Sequence, residues 1–357
     1  MLLDATDLND LQGSEAWDEK RFSPLGLVDA VKDSTSAIDY ITPSAKAAMS
    51  SLSSLRDFKI PILKDGEATV HFTPGFNNIP SNLQESDTLR YTAVDVFTGM
   101  RHYPAQYDNN QMDAEWVKAR TMQRILYEAG NKIEGLITTV AEARKTQLLD
   151  GTVQVNQGDG TFTFDQADDT LKISKAAQKE LLLYRAEKLM NINELPGNYR
   201  LVTNRGGMIT QKAEGLKFGA ANEKNLEAWN ALGLDRIYET GNLDGGSDVF
   251  NGFMFRDGSL GLIENYPFDF RNGTEIDGRK WSISDIDLPY TRMRANVYVN
   301  NEATEATALV GAGRDSNLIM THFSEMALWF RFFIPYTYNS DLATRANDVV
   351  KVKGLTV

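Results

Sequence analysis

The sequence predicts an α+β protein organised around one very long helix. Residues 111–149 contain no proline, and their apolar residues recur at spacings of three and four, which is the period of one helix face. The segments on both sides are rich in strand and turn signals and do not continue a heptad. These observations favour a long helix that lies on strands of its own subunit, with a coiled-coil dimer as the alternative.

Composition narrows the classes of function. A chain of 357 residues with 42% hydrophobic content can bury a sizeable core. It has no cysteine, which excludes disulfides, zinc–thiolate sites and cysteine nucleophiles. The net charge of −12 opposes broad contact with nucleic-acid phosphates, although a protein can enclose DNA without gripping it. No run approaches 18 apolar residues and the N-terminus lacks signal-peptide features, so we expect an intracellular product, or one released only by lysis.

The long helix is expected to be one element of about 58 Å, from 39 residues at about 1.5 Å each. Asp108, Asn109 and Asn110 offer capping side chains at its start. Gly130 and Gly135 lower helix propensity, so a bend or a close packing contact is expected at each. The predicted apolar seam consists of Trp116, Ala119, Met122, Leu126, Ala129, Ile133, Leu136, Val140 and Ala143.

The first 55 residues are predicted to form an arm. They carry two short helical patterns, at residues 25–31 and 44–55, separated by stretches rich in serine and threonine. Their apolar content is thin and local. We therefore expect the arm to be ordered by lying on a larger surface, either the edge of its own domain or a neighbouring subunit.

Residues 56–109 change to strand and turn signals and are predicted to form an extended β-loop. Residues 58–63 and 68–72 flank a tight-turn sequence and are interpreted as a hairpin. A longer strand follows at residues 89–103, where the apolar positions switch from one face to the other. That switch indicates either a bulge or a strand that buries different faces in different places.

After the long helix, the sequence predicts a strand pair, an amphipathic helix and an alternation of strands and helices. The strand pair spans residues 152–173, and the helix spans residues 175–191. Later strands are expected at residues 199–203, 236–240, 249–256, 259–265, 294–299 and 349–352, with helical stretches at residues 206–216 and 223–232. The aromatic run at residues 326–338 is interpreted as a buried strand or an interface rather than a base-stacking platform.

No motif in the sequence predicts a reaction. The histidines His71, His102 and His322 are not at metal-ligand spacing, and the pair His322 and Glu325 is interpreted as a surface pair. Glycine-containing loops at residues 244–248, 257–258 and 311–314 are interpreted as turns and loops. The acidic loop Asp159, Asp165, Asp168 and Asp169 departs from a calcium-binding loop and is interpreted as solvated turns.

The order of these parts resembles the major capsid protein of tailed bacteriophages, the Hong Kong 97-like fold. In this resemblance residues 1–55 correspond to the N-terminal arm and residues 56–109 to the extended β-loop. Residues 110–174 correspond to a peripheral domain that contains the spine helix at residues 111–149.

The same resemblance extends to the C-terminal half. Residues 175–300 correspond to an axial domain, in which Tyr199–Asn204 resembles a central strand. Residues 301–357 correspond to C-terminal return strands, and residues 339–342 followed by 349–352 resemble the closing segment of the family.

The resemblance implies a subunit that self-assembles into hexamers and pentamers of an icosahedral shell around double-stranded DNA. It implies a protein of the virion, assembled in the host cytoplasm, with portal and scaffolding proteins as partners and room for decoration proteins. It implies no enzyme activity, no catalytic, cofactor-binding or metal-binding residue, no sequence-specific DNA binding and no membrane. Some relatives crosslink a lysine to an asparagine, but no motif assigns Lys64 or Asn77 to such a bond. The alternatives are another phage structural protein, such as a tail or decoration component, and an enzyme with an unrecognised carboxylate site.

Overall fold

The computed structural model describes residues 3–8, 10–13, 22–51, 57–63, 86–103, 114–146, 162–165, 167–174, 182–192, 195, 197–211, 236–243, 250–265, 274–276, 278–308, 318–337 and 347–354. The helices are α1 (Gly26–Ser34), α2 (Pro43–Ser51), α3 (Ala114–Arg144) and α4 (Leu182–Ile192). The strands are β1 (Asp57–Leu63), β2 (Ser86–Thr92), β3 (Val94–His102), β4 (Phe162–Asp165), β5 (Thr170–Ile173), β6 (Tyr199–Asn204), β7 (Ile237–Thr240), β8 (Asn251–Arg256), β9 (Ile263–Glu264), β10 (Thr274–Ile276), β11 (Arg279–Asp287), β12 (Arg294–Ala308), β13 (Leu318–Phe333) and β14 (Val349–Gly354).

These strands form two six-stranded sheets and one two-stranded ribbon. The first sheet, called the spine sheet here, has the order β10-β11-β12-β13-β3, with β9 pairing to the end of β13. The second sheet has the order β4-β5-β14-β8-β6-β7. Pairing is antiparallel except between β14 and β5 and between β6 and β7. The ribbon consists of β1 and β2.

The predicted long helix is confirmed as α3, but it ends earlier than expected. Its 31 residues span about 46 Å at about 1.5 Å per residue. Lys145 and Thr146 lie beyond the helix, where the Thr146 N–H donates to the Val349 carbonyl on β14 at 2.6 Å. Residues 108–113 and 147–149, which include the predicted capping side chains, lie outside the described residues.

The apolar seam of α3 is confirmed in its middle and is wrong at its ends. Trp116 is 46% exposed and Ala143 is exposed. The buried apolar side chains are Met122, Leu126, Ala129, Ile133, Ile137 and Ala141. They join the core of the spine sheet and of α1, which places α3 against its own subunit.

The two glycines of α3 differ in their surroundings. A Cβ atom at Gly130 would lie 2.7 Å from Leu25 Cδ1 and 2.8 Å from Tyr290 Cε1, so the expected close contact is present there. At Gly135 nothing lies within 4 Å, so a close contact is absent there, and the alternative of a bend stays a prediction.

The helices of the arm are confirmed, and the surface that orders them belongs to the same chain. Leu27, Val28 and Val31 of α1 are 0–1% exposed and join the core beneath α3. Leu3 and Leu8 near the N-terminus are buried in the same core. The described arm residues therefore do not need a neighbouring subunit to become ordered.

The described pairing of the β-loop joins strands that the sequence analysis did not pair. The described partner of β1 is β2, in a register from Asp57 opposite Thr92 to Leu63 opposite Ser86. Residues 64–85, which include the predicted strand at 68–72, lie outside the described residues. The strand predicted at 89–103 is divided at Ala93, because β2 belongs to the ribbon and β3 to the spine sheet. This division explains why its apolar positions change face.

Strand pairing crosses the predicted domain boundaries. Strands β11 and β12, predicted in the axial region, pair in the spine sheet with β13. Strands β4 and β5, predicted in the peripheral region, pair in the second sheet beside β14 from the C-terminal region. The described turn residues between β4 and β5 are 167–169, and residues 152–161 of the predicted strand pair lie outside the described residues. Pairing brings together segments far apart in sequence, which a division along the chain cannot represent.

Candidate assembly surfaces

The spine sheet has two different faces. One packs against α3 and contains Val96, Val297, Leu328 and Phe330. Alternate residues of the same strands point away from α3, since successive side chains of a strand point to opposite faces. We call this second side the outer face, and it is defined by Phe97 on β3, Trp329 and Ala327 on β13, Tyr298 on β12 and Trp281 on β11.

Aromatic rings form a row across the outer face. The ring centroids of Trp281 and Tyr298 are 6.5 Å apart, and those of Tyr298 and Trp329 are 6.3 Å apart. Phe97 lies directly opposite Trp329 in the register of β3 and β13 and is 69% exposed. An exposed aromatic at the end of a packed row suits contact with another protein surface, because aromatic residues carry much of the binding energy of interfaces.

Charged pairs flank this row. The Arg331 guanidinium donates to Asp95 from Nε to Oδ1 at 2.6 Å and lies 4.6 Å above the Trp329 ring. The Trp329 indole N–H also donates to Asp95, at 2.9 Å. Glu325, which is buried, binds Arg101 from the neighbouring strand β3 at 2.9 Å. These pairs compensate the buried charges and hold the aromatic side chains in place.

The ribbon is attached to its own subunit at its base. Ile60, Leu89 and Tyr91 are buried in a small core with Met49 of α2 and Phe333 of β13. The Tyr91 hydroxyl donates to the Tyr336 carbonyl at 2.9 Å. From this base the pairing of the two strands continues to the last described pair, Leu63 and Ser86. The ribbon therefore has a root that is fixed in its own subunit.

A third feature is a junction between α1, α3 and β7, centred on Glu134. Its carboxylate accepts the Leu27 N–H at 2.9 Å and the Thr240 hydroxyl at 2.7 Å, and also the side-chain amide of Asn242. Leu27 lies in the first turn of α1, so Glu134 caps that helix from another element. Gly26 lies against the β7 backbone, where a Cβ atom would be 2.1 Å from the Glu239 carbonyl oxygen. Only glycine permits this approach.

The two described histidines do not form a site together. His102 is buried, and burial, followed by the charge of Lys118, lowers its pKa. His322 is exposed, whereas Glu325 is buried and pairs with arginines, so the predicted surface pair of these two residues is wrong. The reason is that they lie on a strand, where an odd spacing places side chains on opposite faces. His71 lies outside the described residues.

The acidic loop is a hairpin turn, as predicted. Asp165 accepts the Ala167 N–H at 3.0 Å and binds Lys172, which lowers the pKa of its carboxyl group. Lys145 donates to the Asp168 carbonyl at 2.8 Å. Within the described part of the chain, no group of three or more His, Asp or Glu residues is arranged to hold a metal ion. Asp159 lies outside that part.

The remaining predicted turns and aromatic residues have clear places. Asp257 pairs with Arg200, and Gly258 adopts a φ of 84° in the turn after β8. Residues 244–248 and 311–314 lie outside the described residues. The predicted buried strand is confirmed as β13, whose fully buried aromatic side chains are Phe330, Phe332 and Phe333.

A narrow apolar packing gap, with no room for a water molecule, lies between α3 and the inner face of the spine sheet. Its lining residues are Leu8, Gly99, Met100, Met122, Ile125, Met326 and Leu328. This lining contains no titratable side chain, so it offers no group for acid–base or nucleophilic chemistry. Among the described helices, none is long and apolar enough to cross a membrane.

Comparisons with known proteins identify similar structures but no sequence family. No family model and no curated protein matches the sequence. A structure from Mycobacterium phage Che8 is similar with a TM-score of 0.48 and 8% identity, over 95% of this chain and 94% of that chain. The capsid of the cyanophage P-SCSP1u has a TM-score of 0.43 and 9% identity, over 86% of each chain. The mature capsid of bacteriophage PhiM1 has a TM-score of 0.43 and 9% identity, over 89% of each chain.

Proposed function

We propose that this chain is the major capsid protein of a tailed bacteriophage and forms hexamers and pentamers of an icosahedral shell around double-stranded DNA. The observation that carries the proposal is the arrangement of α3. This 31-residue helix lies on a sheet built from one strand that precedes it in the chain and several that follow it, and the arm helix α1 packs in the same core. That order of arm, ribbon, spine helix and two sheets is the order of the Hong Kong 97-like fold.

The surfaces described above support an assembling subunit. The base of the ribbon is fixed in its own subunit, and the outer face carries an exposed aromatic residue at the end of a packed row. In the proposed shell, the ribbon of one subunit lies over the outer face of the next, and the arm region contacts another neighbour. Repeated modest interfaces closed by symmetry make such assembly cooperative.

The net charge of the chain favours a protein that encloses DNA over one that binds DNA directly. The net charge of −12 gives little attraction for phosphates, so the enclosed DNA would be neutralised mainly by counterions. Portal and scaffolding proteins are the proposed partners, with decoration proteins on the outside. The proposed location is the virion, after assembly in the host cytoplasm.

The proposal is tested by shortening the ribbon. Residues 64–85 are replaced by Asn-Gly, which favours the two-residue turn that would close the Leu63 and Ser86 pair. We expect a subunit with unchanged circular dichroism and thermal unfolding, because the base of the ribbon stays in its core. Closed shells should be lost in negative-stain electron microscopy. A shortened chain that still forms shells would contradict the role given to the ribbon.

A further inference from the structure

The junction at Glu134 contains a buried acid that no described cation neutralises. Glu134 is 0% exposed, and its three hydrogen-bond donors, Leu27, Thr240 and Asn242, are neutral. The ion pairs of the described residues include none to Glu134. Burying an ionised carboxylate is costly unless a cation compensates it.

The surrounding groups do not supply that compensation. The titratable groups at the junction are Asp29 on α1, Arg292 and Tyr290 in the loop before β12, Tyr127 on α3 and Glu239 beside Thr240 on β7. The nearby cations are engaged elsewhere: Arg292 binds Asp29, with Nη1 and Oδ1 3.0 Å apart, and Lys32 on α1 binds Glu264 at 2.8 Å. The positive end of α1 is the one favourable charge that the described elements direct at Glu134.

These features determine the direction of the proton equilibrium. Burial raises the pKa of Glu134, the three hydrogen bonds act against this rise, and the charge of Asp29 adds to it. In the pH range between the ordinary pKa of glutamate and this raised value, the folded state binds more protons than the unfolded state. The free energy of unfolding therefore falls as the pH rises through this range, and the junction is less stable once Glu134 is ionised.

We propose that Glu134 is a proton-controlled latch, which holds arm helix α1, spine helix α3 and strand β7 together more tightly when its side chain is neutral than when it is ionised. Proton binding removes the uncompensated charge. Proton release leaves a buried, uncompensated charge beside the first turn of α1, where Leu27 donates to Glu134, and the cost of burying this charge outweighs the gain from stronger hydrogen bonds to the carboxylate. In an assembled shell, this latch would set how firmly the arm is held to the spine helix. This last step rests on the proposed function.

The test uses Glu134→Gln in the full chain, because glutamine keeps the size of the side chain and removes its charge. Thermal unfolding of the unassembled subunit is measured from pH 4 to pH 8, which begins below the ordinary pKa of glutamate, together with hydrogen exchange of the Leu27 amide corrected for intrinsic rates. In the wild type, the melting temperature and the protection of Leu27 should both fall as the pH rises. The loss of protection should be on the order of tenfold for each unit by which the pKa of Glu134 is raised. Glu134→Gln should remove the part of this pH dependence that comes from Glu134, in both the melting temperature and the protection of Leu27.

Glu128→Gln is the matched control, since Glu128 is exposed on the same helix. It should keep the pH dependence of the wild type. Parallel pH curves for the wild type and Glu134→Gln would overturn the proposal. If Glu134→Gln fails to fold, Thr240→Val takes its place, because it removes a donor that does not titrate and whose hydrogen bond lowers the pKa of Glu134, so the pH dependence should shift toward higher pH. An unchanged curve in Thr240→Val would also overturn the latch.

These measurements are made on the free subunit, so their outcome does not depend on shell formation. A subunit with the expected pH dependence that never assembles would overturn the proposed function and leave the latch intact. A subunit that forms shells but whose pH curve is unaffected by Glu134→Gln would overturn the latch and leave the proposed function intact.

Discussion

The two faces of the spine sheet are formed by alternating residues of the same strands, and they have different roles: one packs in the core and the other is exposed. Phe330 on β13 is 0% exposed and faces α3, whereas Phe97 on β3 faces outward and is 69% exposed. The two side chains are chemically identical and lie close together, since Phe330 pairs with Val96, the residue before Phe97. Their difference shows that the alternation of the strand, rather than the residue type, decides which phenylalanine stabilises the fold and which is available to a partner.

The largest expected effect is on the inner face. Phe330→Ala should lower the free energy of unfolding by about 3–5 kcal/mol, because it removes a fully buried ring and leaves a cavity against α3. Phe97→Ala should change it by less than about 0.5 kcal/mol. Chemical denaturation of the two purified subunits measures both values. Similar losses in both variants would contradict the assignment of the faces.

A second comparison lies on α3 itself. Gly130→Ala should destabilise the subunit by about 1–3 kcal/mol, since the new methyl group would overlap Leu25 and Tyr290. Gly135→Ala should stabilise it by up to about 1 kcal/mol, because alanine favours a helix and nothing lies within 4 Å. Thermal unfolding of both variants measures the difference. A stabilising Gly130→Ala would mean that α1 is not packed on α3 as described.

Phe97→Ala should change the stability of the subunit least, yet it should clearly weaken assembly. Phe97→Ala should raise the protein concentration needed for assembly by about tenfold, equivalent to about 1.4 kcal/mol of lost contact energy. Light scattering over a concentration series measures this threshold. Thr98→Ala is the matched control, since Thr98 is the next residue of β3 and lies on the other face of that strand. An unchanged threshold for Phe97→Ala would remove the outer face from the proposed interface.

Sequence reasoning was most successful where a pattern is local and long. The period of Met122, Leu126, Ala129 and Ile133 predicted α3, because a helix that rests on one surface must repeat its apolar residues at that spacing. The short helices of the arm were predicted for the same reason. The β-loop was recognised as strands, but the partner of β1 was not, since pairing between β1 and β2 spans 22 residues of intervening chain.

Other features left weak signals. Strand β11 was missed because it lies near the edge of the spine sheet, where among its residues only Ile286 is buried. Glu134 was missed because a single glutamate in a helix usually faces solvent. One signal could have indicated it: Gly130 lies one turn before Glu134 and Ile137 about one turn after, so the three share a side of α3.

The most direct test of the central claim is negative-stain electron microscopy of the full-length expressed chain, alone and with a candidate scaffolding protein. The account predicts rings of five or six subunits, or closed shells of uniform size. A monodisperse monomer under every assembly condition would contradict it.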